Sequence, residues 1–278
     1  MKAPFYSDNH MHSSASFDAA YSVEEMAAAS VAHGLSCITI TDHRDCPVFL
    51  FDNSRAMMDL SRYSTQQATK DWQGKLEILF GVELGEPLQD RRAAKEILRH
   101  GPYDFVIGSL HNLEGEEDFY FLNYEQHDPY ELLCRYFSEL LDMVTWGQFD
   151  SLAHLTYPLR YMPKDVEITP FADAIDRVFR ALIQKQIALE VNASGFRQEI
   201  GESLPGEALL RRYYQLGGRL ITMGADAHVP ADTGSFIPRT CSMLRRMGFT
   251  EYSVYRGRRP CPVPLGEEYE GKEERSLT

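Results

Sequence analysis

Nine histidines are spread through 278 residues, and most of them stand just after a short apolar run. Asp8-Asn9-His10-Met11-His12 closes the first such run. Alternate residues of an extended segment share a face, so His10 and His12 can project into one pocket. Thr41-Asp42-His43 closes the next run, Glu83 the third, Ser109-Leu110-His111 the fourth and His154 the fifth. Gly224-Ala225-Asp226-Ala227-His228 closes a later one, again with two potential ligands one residue apart. A lone HxH or DxH carries little weight. A series of run ends, each bearing His, Asp or Glu, is a specific pattern. Imidazole and carboxylate donors suit Zn²⁺, Mn²⁺ and Fe²⁺ better than thiophilic ions.

Ligands so far apart in sequence meet only if the intervening elements return the chain to one place. Apolar runs alternate with longer amphipathic ones, a rhythm that predicts βαβ units and a parallel sheet. Strands are expected over Pro4–Asn9, Cys37–Thr41, Leu76–Glu83, Asp104–Leu110, Asp150–Ala153, Ile187–Asn192 and Arg219–Gly224. An eighth, weaker strand is expected over Tyr252–Tyr255. Helices are expected over Val23–Ala32, 55–72, 90–99, 129–147, 170–185, 206–216 and 238–247. Ser22 and Glu25 have capping-box spacing, and Gly34 is a helix stop. The ligand-bearing ends then lie at the C-terminal ends of the strands, where parallel barrels carry their active sites. Residues 1–264 read as one barrel domain, and 265–278 as a charged, flexible tail.

Acids outnumber bases by 41 to 28, for a formal charge of −13. Such a surface repels nucleic-acid backbones and anionic membranes, so neither is an expected partner. A small phosphate ester remains compatible, because bound cations reverse the local potential. Five cysteines with no CxxC pair read as reduced thiols of a cytoplasmic protein. The N-terminal residues lack the apolar run of a signal peptide, and no stretch is apolar enough to span a membrane.

The stretches DNHMHSSASFD, ITITDH, GVELGE, VIGSLHN, FDSLAHLTYPLRY, LEVNASGFR and ITMGADAH together resemble the polymerase-and-histidinol-phosphatase (PHP) superfamily. They span residues 8–228, most of the chain. The resemblance implies a distorted (β/α)7 barrel, two or three divalent metal ions (Zn, Mn or Fe) and metal-dependent phosphatase activity. It is strongest to members that hydrolyse L-histidinol phosphate in histidine biosynthesis. It also implies nine ligands: His10, His12, Asp18, His43, Glu83, His111, His154, Asp226 and His228. Asp18 is the least anchored of them, since an aspartate ahead of Ser22 also serves as a loop or cap residue. Two positions depart from the family: Thr156 stands where an acid is common, and Ala225 where serine is. Neither removes a ligand.

Clustered cations need no serine or cysteine nucleophile, and the chain has neither a GxSxG elbow nor a P-loop. Arg160 and Arg197 follow strands five and six and are expected to grip the phosphate. Asp226 or His228 is expected to supply the leaving alkoxide's proton through a metal-bound water, and the sequence leaves the choice between them open. Glu114, Glu116, Glu117 and Asp118 follow His111 and could read a cationic substrate end, with Phe119 or Tyr120 against its ring. Asn192 is read either as part of this site or as a residue leading into a helix. His33, His100 and His127 read as loop or helix-end residues. The alternatives are a phosphoesterase for another small ester such as a nucleotide, an amidohydrolase-type barrel, and a noncatalytic metal-stabilised module.

Overall fold

The computed structural model describes residues 5–51 and 53–265. Strand β1 (Ser7–Met11) leads to helix α1 (Val23–Ala32), then β2 (Cys37–Ile40), β3 (His43–Asp45) and α2 (Ser54–Asp71). Next come β4 (Glu77–Gly85), α3 (Arg91–His100), β5 (Phe105–Ser109), α4 (Pro129–Trp146) and β6 (Ser151–Leu152). Then follow α5 (Ala172–Lys185), β7 (Ala188–Asn192), α6 (Glu207–Gln215), β8 (Ile221–Gly224) and α7 (Ile237–Met247). The last elements are β9 (Glu251–Arg256) and β10 (Arg259–Pro264).

The parallel strands run in the order β1-β2-β4-β5-β6-β7-β8, a nearly closed barrel of seven, with β3 beside β4. The closing seam lies past the end of β8. Asp226 N donates to His10 O at 2.8 Å, and His12 N to Ala227 O at 2.9 Å. Both faces of such a strand are covered, which is why each reads as a continuous apolar run instead of alternating. The expected second strand is β2, and after a short break at Thr41-Asp42 the chain runs on as β3 against β4 in the same register. Thr41 N bonds Met11 O on one side, and Asp42 O accepts from Glu83 N on the other. The unbroken register sets His43 directly beside Glu83.

The helices fall within two residues of their expected bounds, and the signals that fix them are visible. Ser22 and Glu25 form the reciprocal capping box of α1. Asp90 caps α3 through Arg92 N and Ala93 N, and Asp128 caps α4 ahead of Pro129. Among the described residues no helix is long and apolar enough to cross a membrane. The five cysteines are free thiols. The expected tail lies outside the described residues, apart from Leu265.

The expected eighth strand is present but does not join the barrel. β9 pairs only with β10, antiparallel, around the turn Gly257-Arg258. β10 escapes a sequence reading because Pro260, Pro262 and Pro264 argue against a strand. At alternate positions, their missing donors all fall on the edge away from β9. The hairpin covers the N-terminal ends of the barrel strands. Arg256 binds Glu77 at the start of β4, and Arg258 binds Asp150 just before β6. Arg258 N donates to Asp104 O, and Tyr252 OH to Phe5 O. Tyr255 is buried among Phe105, Ile107, Ala153 and Ala188 inside the barrel's lower end.

Removing that ring leaves a void that the strands cannot close. Tyr255→Ala should therefore lower the unfolding free energy by about 3 kcal/mol, measured by urea denaturation. A loss below about 0.5 kcal/mol, the range of an ordinary surface change, would make the hairpin peripheral.

Candidate metal centre

At the opposite mouth, five imidazoles surround one carboxylate. Glu83, buried on β4, lies 2.9 Å from His10, 3.4 Å from His12, 3.4 Å from His43, 3.1 Å from His111 and 3.3 Å from His154. Asp226 faces it across the barrel, 3.7 Å from His10 and 3.5 Å from His12. Asp18 arrives from the loop after β1. It accepts from His228 at 2.9 Å and lies 3.5 Å from His43. The nine expected ligands therefore share one site, including Asp18.

Local structure explains how they meet. His10 and His12 occupy alternate positions and face inward together. Gly224 lets β8 approach β1: a Cβ there would lie 2.3 Å from the His10 Cβ and 2.7 Å from a Glu190 oxygen. Asp226 has φ +54°, the left-handed region that few side chains tolerate and Asp tolerates better than most. Its backbone carbonyl accepts from Arg197 at 3.1 Å, which helps hold that conformation.

Sets of these donors lie close enough to share an ion. Their ligand atoms fall within 4.8 Å of one another in His12–Asp18–His43–His228, His10–His12–Glu83, His10–His154–Asp226 and His43–Glu83–His111. Asp45–Glu86–His111 is a fifth such set that the sequence pattern does not reveal. The donors fit a cation on a further ground. His12 Nε2 and His43 Nδ1 are buried with no hydrogen-bond partner. Buried polar atoms of this kind need a partner, and a cation is one.

Electrostatics agree with that fit. Burial pushes the pKa of His12, His43 and His154 down, toward the neutral form that ligates metals. Burial works against the charged forms of Glu83 and Asp226 too. The facing His10 and, respectively, His43 and Arg160 outweigh it and hold both carboxyls well below the usual range. Burial likewise opposes protonation of His10 and His111. There the neighbouring carboxylates, Glu190 and Glu83 for His10, Glu83 and Glu86 for His111, outweigh it and raise the pKa. A divalent cation competes with those protons for the same nitrogens.

A cavity of about 330 Å³ opens over the cluster. Arg160 lines it and donates to Asp226 at 2.9 Å, while its Nε is buried without a partner. Arg197 binds Asp232 and the Asp226 carbonyl, and its NH1 is also unpartnered. The acidic loop divides. Arg135 on α4 takes the Glu116 carboxylate at 2.6 Å and the Glu114 carbonyl at 2.9 Å. Glu114, Glu116 and Glu117 therefore stay off the cavity wall, against expectation, because α4 holds that half of the loop away. Asp118 does line the cavity, and so does Tyr120, whereas Phe119 is buried against Tyr136.

Asn192 caps the turn after β7 through Ser194 N and also reaches Asp226 at 3.3 Å, so both readings of it hold. Thr156 is buried, with its hydroxyl unpartnered. His33, His100 and His127 bind Thr233, Asp59 and Asn123 away from the cluster. Glu190 is the residue the sequence pattern missed. It accepts from His10 Nδ1 at 2.7 Å and from His154 N at 2.8 Å. Its signal was an acid in the middle of an otherwise apolar strand, which is rarely buried without a task.

A family model described as "PHP domain" matches residues 8–194. The histidinol-phosphatase of Lactococcus lactis is 28% identical over 263 residues, covering 90% of this chain and 94% of that one. A protein named probable histidinol-phosphatase from Clostridium acetobutylicum is 30% identical over 237 residues, covering 82% and 88%. The crystal structure of histidinol phosphate phosphatase from Lactococcus lactis, complexed with zinc, L-histidinol and phosphate, superposes with a TM-score of 0.81. It is 27% identical and covers 92% of this chain and 98% of that one.

Because Glu190 orients His10 and anchors the His154 backbone, Glu190→Gln should weaken Zn²⁺ binding about 10–100-fold. Competition with a chelating dye measures this. Unchanged affinity would reduce Glu190 to a packing residue.

Proposed function

This chain belongs to the PHP domain family, and on that premise we propose that it is a metal-dependent phosphatase hydrolysing L-histidinol phosphate to L-histidinol and phosphate. The observation that carries this reading is the convergence of nine histidine and carboxylate ligands beside an arginine-lined cavity. Likeness to histidinol-phosphatases along nearly the whole chain supports the substrate. The reaction is a step of histidine biosynthesis, and five free thiols fit a cytoplasmic setting.

His10, His12, Asp18, His43, Glu83, His111, His154, Asp226 and His228 would hold two or three divalent ions. Such ions supply Lewis-acid charge to the phosphoryl oxygens and acidify the attacking water. The protein does the rest. Arg160 is charged at any working pH and reaches the cavity from a rigid turn, so it can bind a nonbridging oxygen with its free Nε. Arg197, expected to grip the phosphate as well, is not part of the cavity lining and acts on the site by holding the Asp226 carbonyl. Asp226 and His228 stand on the cavity wall beside the leaving group; Asp226 is ionised there, so it can only relay a proton from a bound water.

The substrate's other end carries an amine and an imidazole. Asp118 is suited to read that charge: among the described residues its carboxylate takes Tyr120 N at 2.7 Å and the Tyr157 hydroxyl at 3.1 Å, with no basic side chain against it. Tyr120, Tyr161 and Phe121 line the cavity beside it and offer faces to a cationic or aromatic ring. Among the described residues no lysine lines the cavity, which disfavours an amidohydrolase-type site.

Protein stripped by a chelator should lose turnover of L-histidinol phosphate and regain it with Zn²⁺ or Mn²⁺. A large preference for AMP over L-histidinol phosphate would redirect the assignment to another phosphoesterase. Asp118→Asn should raise KM for L-histidinol phosphate about tenfold, a loss of about 1.4 kcal/mol, and leave p-nitrophenyl phosphate hydrolysis near its original rate. An equal loss on both esters would remove Asp118 from substrate recognition.

A further inference from the structure

Behind the ligand His12 lies a chain of buried hydrogen bonds whose donors and acceptors can be assigned by counting. Asp42 is buried, and its carboxylate oxygens accept from four groups. Oδ1 takes Ser13 N at 2.6 Å and Ser16 Oγ at 3.1 Å. Oδ2 takes Ser13 Oγ at 2.9 Å and Ser61 Oγ.

Ser16 Oγ has one hydrogen, and it goes to Asp42. The same oxygen accepts from His43 N at 2.9 Å. It also lies 3.2 Å from His12 Nδ1. With its only hydrogen committed, the hydroxyl can meet that ring nitrogen only as an acceptor. His12 must therefore carry its proton on Nδ1. Its Nε2 then presents a lone pair to the space beside Glu83 and Asp226, the nitrogen found buried without a partner.

We propose that Asp42, acting through Ser16, fixes the Nδ1–H tautomer of His12 and so dedicates Nε2 to the cation. The same hydroxyl holds the His43 backbone, so one side chain aligns ligands from two neighbouring strand ends. Ser16 and Asp42 are positioning residues; neither is itself part of the cavity lining. The idea rests on the cluster being a cation site and not on which ester is cleaved.

Nitrogen-15 NMR of the histidine rings in metal-free protein reads the tautomer directly. Wild-type His12 should show a protonated Nδ1 and an unprotonated Nε2. Ser16→Ala should shift the ring toward the Nε2–H form and weaken Zn²⁺ binding about 10–100-fold, while Ser16→Thr retains both properties. Ser61→Ala removes a buried hydroxyl from the same carboxylate without touching Ser16, and should leave the tautomer in place. A wild-type ring protonated at Nε2 overturns the proposal, even if the variants fail to fold. An unmoved tautomer in Ser16→Ala, or equal loss of zinc in Ser16→Ala and Ser61→Ala, overturns it as well. Failure of the wild-type protein to cleave L-histidinol phosphate would count against the enzymatic reading and leave this one standing.

Discussion

Glu83 is the constraint around which the upper half of the barrel is arranged. A carboxylate taken out of water costs several kcal/mol even after its surroundings relax, by about the usual estimate. Five imidazoles from four other strand ends offset that cost here. They can do so only if the barrel closes, because His10 comes from the first strand and His154 from the region after the sixth. Closure in turn needs Gly224, where any side chain would collide with His10. Fold and site are therefore one problem. A chain that failed to seal β1 against the segment after β8 would also leave Glu83 with too few partners.

Much of this was legible in the sequence, for identifiable reasons. Ligands stood at strand ends, and strand ends in a parallel sheet share a face, so the positions of His10, His12, His43, Glu83, His111, Asp226 and His228 followed from periodicity. Helix α1 could be bounded on both sides because its capping box and its Gly34 stop are both local. What was not legible depends on distant contacts. Nothing near Glu114 or Glu116 announces that Arg135 will draw them toward α4. Glu190 looks like any interruption of an apolar strand until His10 is seen against it. The continuation of the second strand into β3 past Thr41-Asp42 likewise depends on its pairing with the distant β4. β10 was hidden for the opposite reason: its local signal, three prolines, pointed away from the structure it adopts.

The charge of the molecule and the charge of a phosphate ester conflict only at the level of the whole chain. A protein with a formal charge of −13 repels a phosphate dianion at long range. Within the cavity the balance is set by Arg160, the imidazoles and whatever cations they hold. A surface that rejects polyanions combined with a pocket that accepts one small phosphate ester is itself a filter. It favours a ligand small enough to enter and cationic at its other end.

The hairpin of β9 and β10 follows every barrel strand in the chain, yet it forms the floor beneath them. During synthesis the ribosome delivers this floor last. Until it emerges, Phe105 and Ile107 lack Tyr255 as a lid, and Glu77 and Asp150 lack their arginines. A nascent chain halted before residue 251 would hold all nine candidate ligands over an open-bottomed barrel. Quality control in the cell thus has a definite feature to sense: apolar surface at the end of the barrel remote from the chemistry.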